Sequence, residues 1–593
     1  MTRRTTAALL AILMALALAR PAAAHANLVR STPEAGATLD ASPPSLLLEF
    51  SEELDPSFSR VQLVDGQDQV VEPGPGDVSA SAPRELRLIL PDLPKGSYTA
   101  LWRVRSAADG HITEGSLPFG VGVAVAAGSL IPLPGTPDPA TIPPPLPDTI
   151  LRWVNLMAAA LALGGLAFGP LVWRPAFRRA AASSRPESTG GQPAFPGSGD
   201  RWTAADDTMT FFLRRMTMVG GALFLLASIA FLIDQAATAA GVPATQALGA
   251  PLLQLLAGRS GVLGLARIAL IFQIVVLAWR LPPAGRGPAR LWWITLAIGA
   301  VTLLTLSMTS HAAAEPAAAI AVPVDWLHLA AAVAWLGGLI PFLFAIREAR
   351  RGARPSMPLA ILTPRFSWLT APSVAILALT GIYNYLLHVQ QLDLLAATTY
   401  GRALLVKLGL FGGLLLLGGL NLLVLSRRLR ASGNRLARAL GGSVRVELLF
   451  GALVLLAVGA MTSVAPSVTA WEEHERQGIA QTATVDNVDL TLRIAPAQIG
   501  DNEFAVDVAD RRPGANDAPT KVLLRFDMQG MAADKLQAEA RPASTERYTA
   551  RGNFTTMGGR WNIEVVLRRA GFDDVKHTFI VDIVRSALPF DAS

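Results

Sequence analysis

Eight apolar stretches between residues 149 and 466 govern what this chain can fold into. They fall at about 149–172, 211–234, 260–280, 291–310, 322–346, 366–388, 401–426 and 446–465. Each is close to the ~20 residues an α-helix needs to cross a bilayer. In hydrocarbon every backbone N–H and C=O must be satisfied within the segment, so these stretches are expected as membrane helices. Only 16% of the 593 residues are charged, against ~25% in a typical soluble domain. A single globular enzyme and a disordered chain are both excluded. The net charge of +6 does not indicate a nucleic-acid partner, because the basic residues sit in short loops beside the apolar blocks.

The loops give an orientation. Arg174, Arg178, Arg179 and Arg185 follow the first stretch. Arg280, Arg286 and Arg290 follow the third, Arg347, Arg350, Arg351 and Arg354 the fifth, and Arg427, Arg428, Arg430, Arg435, Arg438 and Arg445 the seventh. The intervening loops 235–258, 311–321 and 389–400 contain no Lys or Arg. By the positive-inside rule the arginine loops are cytoplasmic. The even number of spans then puts both flanking regions outside. Residues 1–24 read as a secretory signal peptide, with Arg3 and Arg4, an apolar run and Ala22-Ala23-Ala24 before the cut. Cleavage after Ala24 makes His25 the mature N-terminus; cleavage after Ala26 would start the chain at Asn27. The expected location is the bacterial inner (plasma) membrane, with eight spans and both soluble domains extracytoplasmic.

The flanks read as β structure. Residues 25–121 carry short alternating runs separated by Pro, Gly, Asp and Ser, and 122–147 form a Pro/Gly-rich linker. The membrane domain spans 148–467. Residues 480–586 read as a second small β domain.

Cysteine is absent and there are seven histidines. Any metal must therefore be held by histidine, carboxylate or methionine. An N-terminal His25 offers its amine and its ring Nδ1 to one ion, and nitrogen-rich tetragonal sites select Cu(II). The only other histidine of this region is His111, in Asp109-Gly110-His111. Across a glycine turn, Asp109 and His111 can point to the same ion. The plain alternative is that His111 is a solvated loop histidine.

The run His25-Ala26-Asn27-Leu28-Val29-Arg30-Ser31-Thr32-Pro33-Glu34-Ala35-Gly36 resembles the start of the CopC family of copper-binding proteins. So do Phe50-Ser51-Glu52, Tyr98 with Trp102-Arg103-Val104, Ser106, Asp109-Gly110-His111 and Gly115-Ser116. The resemblance covers 25–121. It implies an Ig-like β-sandwich with one Cu(II) held by His25, Asp109 and His111. Residues 25–121 contain no methionine, so the methionine-rich Cu(I) site of some members is expected to be missing.

Polar residues inside apolar helices point by default to function. His311 ends the fourth stretch, close to Met308. Asp325 and His328, three apart, share a face of the fifth, and His388 ends the sixth. Imidazole suits copper and thioether suits Cu(I), so Met308, His311, Asp325, His328 and His388 form a candidate membrane copper site. The plain alternative is an interfacial role for the terminal histidines and a helix-to-helix bond for His328. Lys407 lies deep in the seventh stretch, where it either neutralises a carboxylate such as Asp325 or snorkels outward. Arg445 and Glu447 are expected to pair. The Gly337-Gly338 and Gly412-Gly413 sets are expected to allow close helix packing.

The run Trp326-Leu327-His328-Leu329 through Trp335-Leu336-Gly337-Gly338-Leu339 is similar to the CopD family of copper membrane proteins. So are Ser310-His311-Ala312, Arg365-Phe366-Ser367, Thr380-Gly381, Tyr400-Gly401-Arg402 and Lys407. The order of modules resembles CopC–CopD fusions of the YcnJ type, with a tail similar to a YtkA-like domain. In that tail Met528, Met531 and Met557 are candidate Cu(I) ligands, the plain alternative being that they fill the core of a β domain.

The resemblance implies a multidomain membrane protein: a CopC-like β-sandwich, an eight-helix CopD-like transmembrane bundle and a small C-terminal β-sandwich. The expected function is copper transport, not enzymatic catalysis. Cu(II) would be captured outside, from periplasmic copper donors, and passed to the membrane domain for import and copper homeostasis, with Cu(I) a candidate species there. Copper resistance by sequestration or export is the alternative. A haem-binding membrane electron carrier and a copper oxygenase are further readings. The expected partners are copper ions and the lipid bilayer, with no nucleic acid.

Overall fold

The computed structural model describes residues 26, 28–34, 37–66, 69–71, 77–79, 81–123, 140–183, 198–315, 317–351, 359–421, 433–471, 478–495, 497, 500–510, 519–528, 536–543, 547–556 and 559–583. The expected signal peptide, His25, most of the linker, Met531 and Met557 lie outside the described residues. By its internal contacts the chain divides into two units. One holds the helices of 143–467 together with the loop Ser106–His111; the other holds the strands of both β regions.

The N-terminal strands are β1 (Leu28–Thr32), β2 (Thr38–Leu39), β3 (Ser45–Phe50), β4 (Arg60–Asp65), β5 (Val70–Val71), β6 (Glu85–Ile89), β7 (Gly96–Arg105) and β8 (Ile112–Val121). They form a three-stranded sheet, β1-β3-β6, and a five-stranded sheet, β2-β8-β7-β4-β5. The two-residue alternation of the sequence decides which face is apolar. Leu46, Leu48 and Phe50 of β3 are buried with Leu86 and Leu88 of β6, against Leu63, Ala100, Val104, Leu117 and Phe119. Trp102 meets Phe50 edge to face at 5.2 Å. It lies opposite Gly115 in the β7–β8 ladder. A Cβ at Gly115 would stand 2.3 Å from the indole, so only glycine leaves room for the ring.

The membrane helices are α1 (Leu146–Phe168), α2 (Ser198–Ala240), α3 (Arg259–Ala278), α4 (Arg290–Ser307), α5 (Ala318–Arg351), α6 (Leu359–His388), α7 (Thr399–Leu420) and α8 (Gly433–Thr462). Eight helices among the described residues are long and apolar enough to cross a bilayer, matching the eight stretches. Pro323 and Pro341 lie inside α5, and Pro364 and Pro372 inside α6, so these helices run on past prolines that would end them in water. Trp368 and Leu416 are 79% and 77% exposed, as side chains facing lipid should be.

Helix α1 packs against α2, α5 and α8. At its crossing with α5 a Cβ on Gly164 would lie 2.3 Å from the Cα of Gly337, so the two backbones touch. Gly413 likewise seats the ring of Phe450, whereas nothing lies within 4 Å of a Cβ at Gly412. At its far end α1 widens into a π-turn, Gly169–Trp173, and continues as Arg174–Ser183. There the Trp173 indole donates to Asp206 at 2.9 Å, and Arg174 donates to the carbonyls of Pro282 at 2.9 Å and Pro283 at 3.2 Å. Glu447 does not pair with Arg445. Two residues apart on a helix, their side chains diverge, and Glu447 accepts instead from the Asn421 amide.

The tail strands are β9 (Ile479–Val485), β10 (Val488–Ala495), β11 (Gly500–Asp510), β12 (Lys521–Met528), β13 (Leu536–Pro542), β14 (Arg547–Thr555), β15 (Gly559–Arg568) and β16 (Val575–Ile583). All eight join one sheet in the order β16-β15-β12-β13-β14-β11-β10-β9. Its two edges approach each other, with the Gln481 amide donating to the Ile580 carbonyl at 2.9 Å, so the expected sandwich is drawn as a nearly closed barrel. The core gathers Phe504, Phe526 and Phe554, with ring centroids 4.8–5.9 Å apart. The β9–β10 hairpin turns on Asp486 and Asn487, both in the left-handed region that suits a two-residue turn.

Candidate metal centre

The site begins with the turn between β7 and β8. The Ser106 amide donates to the His111 carbonyl at 2.8 Å, and the Gly110 amide to the Ser106 carbonyl at 3.1 Å. Gly110 has φ +80°, a conformation that glycine adopts without strain. The Ser106 hydroxyl accepts from the amides of Ala108 and Asp109, and Asp109 Oδ1 accepts from the His111 amide at 3.0 Å. These local bonds fold Asp109 and His111 toward one point. Asp109 Oδ2 lies 3.0 Å from His111 Nδ1.

The second segment is the loop between α4 and α5. Ser310 caps a 3-10 turn, His311–Ala313, by accepting from the Ala312 amide at 3.3 Å. This turn brings His311 Nδ1 to 3.2 Å from the same Asp109 Oδ2. The rings of His111 and His311 stack at 4.5 Å. Donor atoms of Asp109, His111 and His311 all lie within 4.8 Å of one another, the geometry of a metal-holding group. The Asp109 side chain is fully buried. Burial alone would raise its carboxyl, but the charges and hydrogen bonds of His111 and His311 hold it well below the ordinary carboxylate range. Burial pushes the His311 imidazole down, as does the charge of His111, against the opposing pull of Asp109. An ionised carboxylate beside a neutral imidazole is the state a metal ion requires of its ligands.

His388, at the end of α6, is buried and not in water. Its ring lies 6.2 Å from that of His311, and its Nδ1 stands 3.6 Å from Oε1 of Glu315. Glu315, four residues after His311, was not singled out from the sequence. Its carboxyl is pushed up to about 8, first by burial and then by the charge of Asp109.

Asp325 and His328 lie apart from this group. Asp325 Oδ2 accepts from the Ser310 hydroxyl at 3.1 Å. Lys407, the candidate partner of Asp325, lies within electrostatic reach of both Asp325 and His328. His328 Nδ1 stands 2.7 Å from the Thr380 hydroxyl oxygen. That hydroxyl donates to the Ile376 carbonyl at 2.6 Å, so it accepts from His328. The proton is thereby fixed on Nδ1, which leaves the Nε2 lone pair as the ligating position of this ring. Met308 enters through its carbonyl, which accepts from Arg259 at 3.5 Å. In the tail, Met528 ends β12 opposite Trp561.

Comparison with known proteins places names beside this geometry. Residues 28–122 match the CopC domain, 145–321 the copper resistance protein D-like N-terminal domain, and 360–461 copper resistance protein D. The chain is 25% identical to the copper transport protein CutJ of Bacillus subtilis (strain 168), over 96% of this chain and 97% of that protein. It is 30% identical to the copper resistance protein D of Pseudomonas syringae pv. tomato, over 34% of this chain and 67% of that one. Among solved structures, CopC from Methylosinus trichosporium OB3b is 38% identical, covering 16% of this chain and 93% of that chain, with a TM-score of 0.16.

Proposed function

Because this chain belongs to the family of copper transport and resistance proteins that join CopC and CopD domains, we propose that it takes up Cu(II) at the extracytoplasmic face and moves it inward. The observation that carries this reading is the buried Asp109 carboxylate facing an imidazole from each of two distant segments, His111 and His311. Two imidazole nitrogens and a carboxylate oxygen make a donor set that copper accepts readily. His25, if it is the mature N-terminus, adds its amine and ring to the same ion. The turn Ser106–His111 and the loop holding His311 then act as one receiving site for the cargo. Asp325 and His328 lie further along the inward route. His328 presents Nε2, and Lys407 balances the charge of Asp325 while no ion is passing.

Copper content of cells at matched protein level tests the reading. Asp109→Asn, His111→Asn and His328→Ala should each lower accumulated copper relative to wild type. A rise would assign the same site to export, and unchanged copper in all three would remove transport from consideration.

A further inference from the structure

The receiving site does not account for Glu315. Its side chain is 2% exposed, and its Oε1 makes no hydrogen bond among the described residues. A buried carboxyl oxygen without a hydrogen bond is costly, and each such group calls for a reason. Its surroundings deepen the problem. The loop 311–321 contains no Lys or Arg, and the neighbouring charge that reaches Glu315 is a second carboxylate, Asp109. Oε1 points at His388 Nδ1, 3.6 Å away, and His388 is itself buried. Tyr383, one helical turn and a half before His388 on α6, is 2% exposed and leaves its hydroxyl without a hydrogen-bond partner among the described residues. It too lies within electrostatic reach of Glu315. The Asp109 carboxylate, the Glu315 carboxyl, a buried imidazole and an unengaged hydroxyl converge with no basic side chain from that loop. That is an environment for a cation.

We propose that Glu315 and His388, with His311 as the shared ligand, form a second Cu(II) station that receives the ion from Asp109 and His111. The inference rests on the transport reading above and extends it by one step. His311 is placed to serve both stations. Its ring lies 4.5 Å from that of His111 and 6.2 Å from that of His388. An imidazole has two ring nitrogens. Nδ1 faces Asp109, and Nε2 is the donor for the second ion position; with both positions filled the ring is an imidazolate, its one N–H proton released to water as the second ion binds. Both stations then offer nitrogen, nitrogen and carboxylate oxygen. The donor types are the same, but among the described residues the donors within 4.8 Å of one another are those of the first station, so the second is the more open of the two.

The test uses the full chain in detergent, loaded with Cu(II) and freed of loose metal. Bound copper per chain is counted, and the Cu(II) electron paramagnetic resonance spectrum is recorded. Wild type should hold two ions. Glu315→Gln, which keeps size and shape, should lose one and simplify the spectrum, and His388→Asn should do the same. Asp109→Asn and His111→Asn should lose the other ion and keep the one at Glu315. If Glu315→Gln and His388→Asn both retain the wild-type count and spectrum, the second station is overturned while the receiving site stands. If Asp109→Asn and His111→Asn leave count and spectrum unchanged, the receiving site fails and the relay fails with it.

Discussion

Asp109 Oδ2 stands 3.2 Å from His311 Nδ1, although the two residues are 202 positions apart in the chain. The same oxygen lies 3.0 Å from His111 Nδ1. One carboxylate oxygen therefore organises both imidazoles. Asp109→Asn removes the negative charge and keeps the shape. We expect Cu(II) affinity of the purified chain to fall by more than the ~10–100-fold typical of losing an outer-shell partner. Competition titration with a chelator of known affinity checks this.

His328 and Thr380 make a second dependence. Thr380→Val keeps the volume but removes the oxygen that fixes the proton on His328 Nδ1. The ring can then carry its proton on Nε2, the position assigned to the ion. The initial rate of copper uptake in cells should fall about tenfold, an outer-shell effect. His328→Ala should lower it further. Equal rates in wild type and Thr380→Val would contradict the tautomer assignment.

The crossing of α1 and α5 leaves no space for a side chain at Gly337, where a Cβ would stand 2.1 Å from the Ala160 carbonyl oxygen. Backbone atoms cannot move aside as a flexible side chain can. Gly337→Leu should cost at least the ~1–3 kcal/mol of a typical overpacked site. The expected outcome is a lower midpoint of thermal unfolding in detergent and a lower yield of folded protein. Gly412→Leu, with nothing within 4 Å, should be tolerated.

The tail has an acid-sensitive cluster. Asp507 accepts from Arg493 at 2.8 Å and from Arg547. Burial opposes ionisation of Asp507, but these guanidinium bonds and charges outweigh it and lower its pKa. An unfolded Asp titrates near ~3.9. The folded group titrates lower, so its stabilisation is complete above about pH 4 and is lost as pH falls through the folded value. Asp507→Asn should lower tail stability at neutral pH by ~1.5–3 kcal/mol, the scale of hydrogen bonds to charged groups. Hydrogen exchange in β10, β11 and β14 of the full chain should quicken at pH 7. The difference between variant and wild type should shrink below pH 4.

How much of this was legible beforehand depends on the range of the interactions. The eight spans were, because a bilayer imposes a length and a polarity that single segments must meet. Asp109 and His111 were legible as a pair, because a two-residue spacing across Gly110 is local. Their meeting with His311 was not, since nothing in the spacing links residues so far apart. Nothing in the sequence sets Glu315 apart from any other loop acid; only the structure shows it buried. His388, at the end of an apolar run, reads as a boundary residue for the same reason. The near closure of the tail sheet was hidden because it depends on how β9 meets β16, a pairing of first strand with last.

The widened turn at Gly169–Trp173 has a consequence for how α1 tolerates change. A π-turn holds one residue more than an α-turn, so it resets the angular phase of everything after it. Trp173 and Arg174 reach Asp206 and Pro282 only in that reset phase. Deleting the extra residue would let the turn close to a regular helix with the following side chains in nearly the same phase, whereas closing it at constant length would swing them by about 100°, the advance of one residue at 3.6 per turn. The indole and the guanidinium would then face away from their partners. The turn works as a timing correction between the two ends of α1, and it takes up one residue of length at the place where the helix's own hydrogen bonding is least regular.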